Sequence, residues 1–419
     1  MCLVLILGVV AVNTHASFMS GMPNRSDFPR LRWKDRTINI AVSSSLIQPN
    51  SNIKTDSDVV GALRRSAQAW QAVANLQIQI EPSERQNVSP SGPSGDDVSL
   101  ITIAQSAENV LLFSKNPLAE SAKTRVFYNR KGFITEADIV LNPFQQFSTD
   151  GTYGTFDLES TLTHELGHLL GLRHSDVLGS MMSAGLTKNG TFGIFESPSR
   201  TLVDSDIAAV RELYGLSSIT EECCGAIGGK LVQAAGKFPR NVSVWAEESG
   251  TGRVVAQIEA GADGSFRLGG LPAGTYSVFW QKRDAAASPV GELGTFRVET
   301  DETKTISEKI VFRRSDFSLN FIGVNSRLAD ASIALRSGQE YTVYLGGRDL
   351  HSQDLKIEFN SPYFRVSPKS IAGEDFGEGI SVVSFRITVD RATPSGLYSI
   401  FASGSGGAMG SLIGALSVQ

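Results

Sequence analysis

The sequence predicts a multidomain protein: an α+β domain over residues 25–218, then two all-β sandwich domains over residues 225–312 and 315–419. Three observations carry this expectation. At 419 residues the chain can bury several separate cores. Helical and strand periodicities alternate through its first half. Beyond about residue 222 the pattern becomes period two throughout, with Gly and Pro turns between the runs.

The elements follow in order. Residues 1–12 are almost wholly apolar and small residues come next, so residues 1–16 read as a leader cleaved after Ala16 and the protein as secreted, hence extracellular. The basic start of such a leader is missing, and a buried amino-terminal strand is the competing reading. The run is too short to span a bilayer. Arg32-Trp33-Lys34 with Ile38 to Val42 alternates and predicts a first strand. Ser57 to Leu76 predicts a long helix with Val59, Val60, Leu63, Ala67, Trp70, Val73 and Ala74 on one face. Val98 to Ile103 is a short strand, rich in β-branched residues. Thr124 to Tyr128 and Gly132 to Asn142 are two more. A helix within Leu202 to Gly215 has Ile207, Val210, Leu213 and Tyr214 as its apolar stripe, acids at its start and Gly215 at its end. In the second half, Asn241 to Ala246 and Gly264 to Leu268 predict strands. Tyr341 to Leu345, Leu355 to Phe359, Val382 to Val389, Leu397 to Phe401 and Leu412 to Val418 predict others.

The chemistry sits in Thr163-His164-Glu165-Leu166-Gly167-His168-Leu169-Leu170-Gly171-Leu172-Arg173-His174-Ser175. Residues four apart on a helix lie one turn apart on the same face, so His164 and His168 can aim at one point. Glu165 is close enough to reach a water held there. Gly171 accepts a positive φ, which stops the helix and turns the chain back to bring in His174. Three protein ligands and a water make an open tetrahedral zinc site of the kind catalysis requires. Zinc lowers the pKa of such a water, and Glu165 can take its proton as it attacks a carbonyl. All five fixed positions of H-E-x-x-H-x-x-G-x-x-H arise by chance in a chain this long with a frequency of roughly 10⁻⁶ to 10⁻⁵. Three of the five histidines in the chain fall in this motif, which weighs against ordinary core histidines.

The motif and its surroundings resemble the metzincin metallopeptidases. Ser175, after the third histidine, is similar to the matrixin branch (the matrix metalloproteinase type). Gly179-Ser180-Met181-Met182-Ser183 resembles the family's methionine turn, and Met182 falls on the matrixin position as a hydrophobic floor beneath the histidines. Leu202 to Gly215 is similar to the closing helix. The resemblance implies a metzincin-type catalytic domain with a twisted, mostly parallel sheet and the zinc helix packed under it. It also implies an edge strand that pairs with an extended substrate, here Thr124 to Tyr128, and a specificity-pocket wall from Ser183 to Ser199. It implies one catalytic Zn²⁺ on His164, His168 and His174 with Glu165 as base and acid, and bound Ca²⁺ for which the sequence assigns no residues.

Some family features are absent. Only His15 and His351 lie outside the motif, too few for a second, histidine-built zinc site, and no Cys between Cys2 and Cys223 offers the cysteine that keeps many matrixins latent. Ser183 and Ala184 replace the aromatic residue that often follows the methionine turn. Adjacent Cys223 and Cys224 are not expected to join each other, because the peptide between them must distort. Asn24, Asn87, Asn189 and Asn241 begin glycosylation sequons.

Gly264 to Tyr276 is similar to the prealbumin-like, carboxypeptidase-regulatory-like module, and the last segment resembles an immunoglobulin-like sandwich. Two roles for these modules stand: spacing and stabilising the protease, or binding a cell surface, matrix component or polysaccharide. A net charge of −5 with no basic block argues against nucleic acid as a partner. The function expected is a secreted zinc endopeptidase acting as a monomer on proteins or peptides. The alternative is a surface- or matrix-binding protein with residual or self-directed proteolysis.

Overall fold

A computed structural model of the chain describes residues 30–88, 95–114, 120–185, 187–190, 200–217, 223–233, 236, 238, 240–283, 289–312, 316–367, 369–377, 379–404 and 407–419. The expected leader, the sequon at Asn24 and residues 186 and 191–199 of the expected pocket wall lie outside them.

The first sheet has six strands: β1 (Arg32–Trp33), β2 (Thr37–Ser43), β3 (Gln77–Ser83), β4 (Leu100–Thr102), β5 (Ala122–Tyr128) and β6 (Phe133–Leu141). β6 takes β1 and β4 in parallel on one side, and β2 and β3 continue from β4 in parallel. β5 lies antiparallel on the other side of β6, with Thr124 opposite Ile139. It has no second strand neighbour among the described residues, so the expected edge strand is the edge. The expected first strand is in fact two. Exposed Lys34, Asp35 and Arg36 bend the chain, and β1 pairs β6 while β2 crosses to the sheet centre. β3 was not foreseen, although Gln77-Ile78-Gln79-Ile80 alternates cleanly.

Among the described residues five helices accompany this sheet: α1 (Ser44–Ile47), α2 (Val59–Val73), α3 (Ala107–Leu111), α4 (Leu158–Leu169) and α5 (Asp204–Tyr214). Asp58 caps α2 by accepting from Gly61 N at 2.9 Å. The buried stripe of α2 is Ala62, Leu63, Ser66, Ala67 and Trp70; Val60, expected on that face, points outward at 42% exposure. Trp70 is fully buried and donates Nε1 to Thr163 O at 2.9 Å, which ties α2 to α4. The short parallel pair β7 (Phe147–Ser148) and β8 (Phe156–Asp157) leads into α4.

The second half is built of strands. β9 (Gly225–Gln233), β10 (Val242–Glu248), β11 (Val254–Glu259), β12 (Ser265–Leu271), β13 (Gly274–Lys282), β14 (Val290–Val298) and β15 (Thr303–Ile310) form two sheets. Both contribute to one core that includes Ile227, Val244, Phe266, Trp280 and Ile306. β16 (Ser318–Val324), β17 (Ile333–Leu335), β18 (Glu340–Arg348), β19 (Lys356–Glu358) and β20 (Phe364–Val366) follow. β21 (Ala372–Glu374), β22 (Ser381–Val389), β23 (Gly396–Ser403) and β24 (Met409–Val418) complete two further sheets around Ile322, Leu345, Phe385, Ile400 and Leu416.

A separate apolar cluster joins all three regions. Val177 meets Trp245, Val254 and Phe279 of the first β region and Leu397, Phe401 and Ile413 of the second. The rings of Trp245, Phe279 and Phe401 lie 5.1–6.2 Å apart, in stacked and tilted geometry. Cys223 and Cys224 are joined by a disulfide, contrary to expectation; the peptide between them is cis and their Cα atoms are 3.0 Å apart. Asn189 is buried and donates to Thr155 Oγ1 at 3.1 Å, which closes that sequon to a glycan. No helix among the described residues is long and apolar enough to cross a membrane.

Candidate metal centre

Every residue of α4 is buried, so its polar groups must find partners inside the protein. Asp157 caps the helix by accepting from Ser160 N at 2.8 Å, and Arg200 donates Nη2 to the same carboxylate at 2.6 Å. At the other end Gly171 has a φ of +95°, Gly171 N donates to His168 O at 2.8 Å and Leu172 N to Gly167 O at 3.0 Å. These two bonds make a Schellman close. A Cβ at Gly171 would lie 2.3 Å from Leu31 O, so space as well as backbone conformation requires glycine there. Trp33 Nε1 donates to Leu169 O at 2.8 Å and Tyr214 Oη to Leu170 O at 2.7 Å, so two side chains from other elements satisfy the last carbonyls of the helix.

The three motif histidines converge. Their ligand atoms lie within 4.8 Å of one another, and among the described residues no other group of three His, Cys, Asp or Glu side chains does the same. His164 Nδ1 is 2.7 Å from Met181 O and His168 Nδ1 is 2.9 Å from Leu172 O. Each carbonyl calls for a proton on Nδ1, which leaves Nε2 with its lone pair free for a metal. His164 Nε2 is buried without a hydrogen-bond partner, and His168 Nε2 lies 3.2 Å from His174 Nε2. A tetrahedral zinc with Zn–N bonds of about 2.0–2.1 Å needs its nitrogens about 3.3 Å apart. The His168–His174 spacing matches that requirement, and three imidazole nitrogens are a donor set that suits zinc.

Glu165 is fully buried beside the histidines. Its Oε2 accepts from Thr124 Oγ1 on β5 at 2.5 Å, while Oε1 has no protein partner. Burial pushes its carboxyl up to about 7, with the Thr124 hydrogen bond acting in the opposite direction. A base in that range suits proton transfer near neutrality.

Met181 and Met182 divide their work. Met181 supplies the carbonyl for His164, and the Met182 thioether fills the space beside Gly167, where a Cβ would lie 2.3 Å from Sδ. The turn is held from α5 by Asp206, which accepts from Ser180 Oγ at 2.5 Å, Met181 N at 2.9 Å and Met182 N at 3.3 Å. Thr124, Asp206, Trp33 and Tyr214 were visible in the sequence only as strand or helix residues; their bonds into the centre span the fold and leave no local spacing. His351, outside the centre, is exposed and pairs with Asp349 at 2.8 Å.

Burial lowers the pKa of His164 to about 4 and of His174 to about 3, and holds His168 well below the usual 6.5. All three folded values lie below the unfolded one, so the unfolded chain takes up protons first as pH falls. Stability contributed by neutral histidines is thus complete above about pH 6.5 and is lost as pH falls towards 4. The metal-free protein is predicted to lose on the order of 2 kcal/mol through His164 alone between neutral pH and about pH 5, with His168 and His174 acting in the same direction. Urea unfolding at the two pH values measures this, and a flat profile counts against it.

Residues 32–215 match the family model described as Matrixin. Over 66 residues the chain is 41% identical to Metalloendoproteinase 1 of Glycine max, a match that covers 15% of this chain and 18% of that protein. The chain thus spans less than a fifth of that relative's length. Among solved structures it is similar to BcpA, the major pilin subunit of Bacillus cereus, at 11% identity over 45% of this chain and 66% of that one, with a TM-score of 0.16. It is also similar to the Bacteroides ovatus mixed-linkage glucan utilization protein SGBP-B, at 12% identity over 46% and 42% of the two chains, with a TM-score of 0.17. At scores this low neither structural likeness informs the fold. The match to the Matrixin model covers the mostly parallel sheet, the histidine helix and the closing helix, and it is in residues 32–215 that the chain is similar to that family.

Proposed function

We propose that this chain is a secreted zinc endopeptidase that hydrolyses internal peptide bonds of proteins. The observation that carries the reading is the convergence of three histidines, two of them fully buried and the third half-buried, beside a buried carboxylate. His164, His168 and His174 would hold the zinc. Bound there, zinc supplies Lewis acidity that lowers the pKa of a water and polarises the scissile carbonyl. Glu165 takes a proton from the attacking water as the C–O bond forms. It delivers that proton to the amine as the C–N bond breaks. Thr124 holds Glu165 in line for both transfers. The free side of β5 offers main-chain groups to an extended substrate, which gives affinity with modest sequence preference.

Casein cleavage with and without a zinc chelator tests the reading. Glu165→Gln should lose a factor of about 10²–10⁴ in rate while still holding one zinc. Undiminished cleavage by the variant, or cleavage indifferent to the chelator, would refute it. Thr124→Val should lower kcat roughly tenfold with little change in KM, since a hydrogen bond to a charged group contributes about 1.5–3 kcal/mol. Thr124→Ser should restore the rate; equal rates in all three would remove Thr124 from the site. Secretion rests on the apolar opening of the chain, and sequencing the amino terminus of the exported protein, expected to begin after Ala16, checks it.

A further inference from the structure

The segment that carries the third histidine is gripped from outside its own domain. Gln257 on β11 accepts from Ser175 Oγ at 3.2 Å and from Asp176 N at 3.4 Å, and returns its Nε2 to Asp176 Oδ2 at 3.3 Å. A further bond from Nε2 to Ser243 Oγ at 2.8 Å fixes this amide within its own sheet. Arg283 Nη1 reaches Asp176 Oδ1 at 2.9 Å. Val177 is fully buried in the apolar cluster shared by both β regions, and Leu178 N donates to Ile413 O at 2.9 Å. Four consecutive residues after His174 are thus anchored on the β regions.

Within its own domain the segment is tied to the methionine turn by Ser175 N, which donates to Met182 O at 2.8 Å, and the outside grip adds to that tie for His174 but not for the other two histidines. His164 and His168 ride on α4, and a main-chain carbonyl steadies each ring. Among the described residues no carbonyl steadies the His174 ring, which stands beyond the helix end. Cavities of about 360 and 460 Å³ lie along this segment, and His174 and Ser175 line both. Space beside it gives the segment room to shift unless something holds it.

We propose that the carboxy-terminal β regions complete the metal centre, with Gln257 and Arg283 as positioning residues that set His174 for zinc. This rests on the zinc-peptidase reading. Partners that orient a ligand affect metal affinity by about 10- to 100-fold, and Gln257→Leu should weaken zinc binding by at least about tenfold in competition with a chromophoric chelator. Arg283→Leu should weaken it less, and Arg283→Lys should restore it. The melting temperature of each metal-free variant should match that of the metal-free wild type, since the side chains removed lie at the edge of the packed cores. Equal zinc affinity in Gln257→Leu and wild type would overturn the proposal, as would an affinity loss matched by a fall in metal-free melting temperature. A wild-type chain that takes up no zinc would instead sink the peptidase reading.

Discussion

At Gly171 a φ of +95° lets α4 close with both Schellman bonds, and the reversed chain brings Leu172 O back against His168 Nδ1. One backbone conformation thereby does three things. It ends the helix, orients the second histidine and sends the third towards the other two. Any residue with a Cβ would resist the φ and collide with Leu31 O. The sheet contributes at the same point, because Leu31 leads directly into β1 and Trp33 of that strand caps Leu169 O.

Around this turn the protein buries carboxylates where apolar side chains would pack at lower cost. Asp157, Glu165 and Asp206 are all nearly inaccessible. Two of them are well supplied with donors: Asp157 from Ser160 N and Arg200, Asp206 from Ser180, Met181, Met182 and Val203. Those two serve architecture, one starting α4 and the other holding the methionine turn. Glu165 has a single side-chain donor and one oxygen with none. A buried charge left partly unsatisfied is costly, and that asymmetry sets Glu165 apart from its two architectural neighbours, as the proposed role of base requires.

What the sequence made legible was local. His164, His168, Gly171 and His174 could be read because helix spacing and the freedom of glycine act over a few residues. The closing helix could be read for the same reason, and Gly215 does follow it. Distant partners could not be read. Thr124 meets Glu165 across 41 positions, and Trp33 meets Leu169 across 136. Nothing in the alternation of β5 singles out a threonine as a donor to a carboxylate. The split of the first strand turned on where Lys34 to Arg36 bend the chain, a matter of tertiary pairing. Val60 faced outward because α2 packs along 62, 63, 66, 67 and 70, a stripe that β-branched residues at 59 and 60 obscured. Cys223 and Cys224 joined through a cis peptide, a conformation no residue pattern announces.

The contact between Gly167 and Met182 gives an unspecified position of the motif a meaning of its own. Residue 167 falls at one of the variable places between the first two histidines, yet Met182 Sδ and Trp70 Cζ2 occupy the volume where its side chain would extend. Bulk under the helix is therefore a single quantity shared between residues 167 and 182. Volume added at one has to be surrendered at the other, and substitutions at the two positions are coupled although they stand fifteen positions apart in the chain.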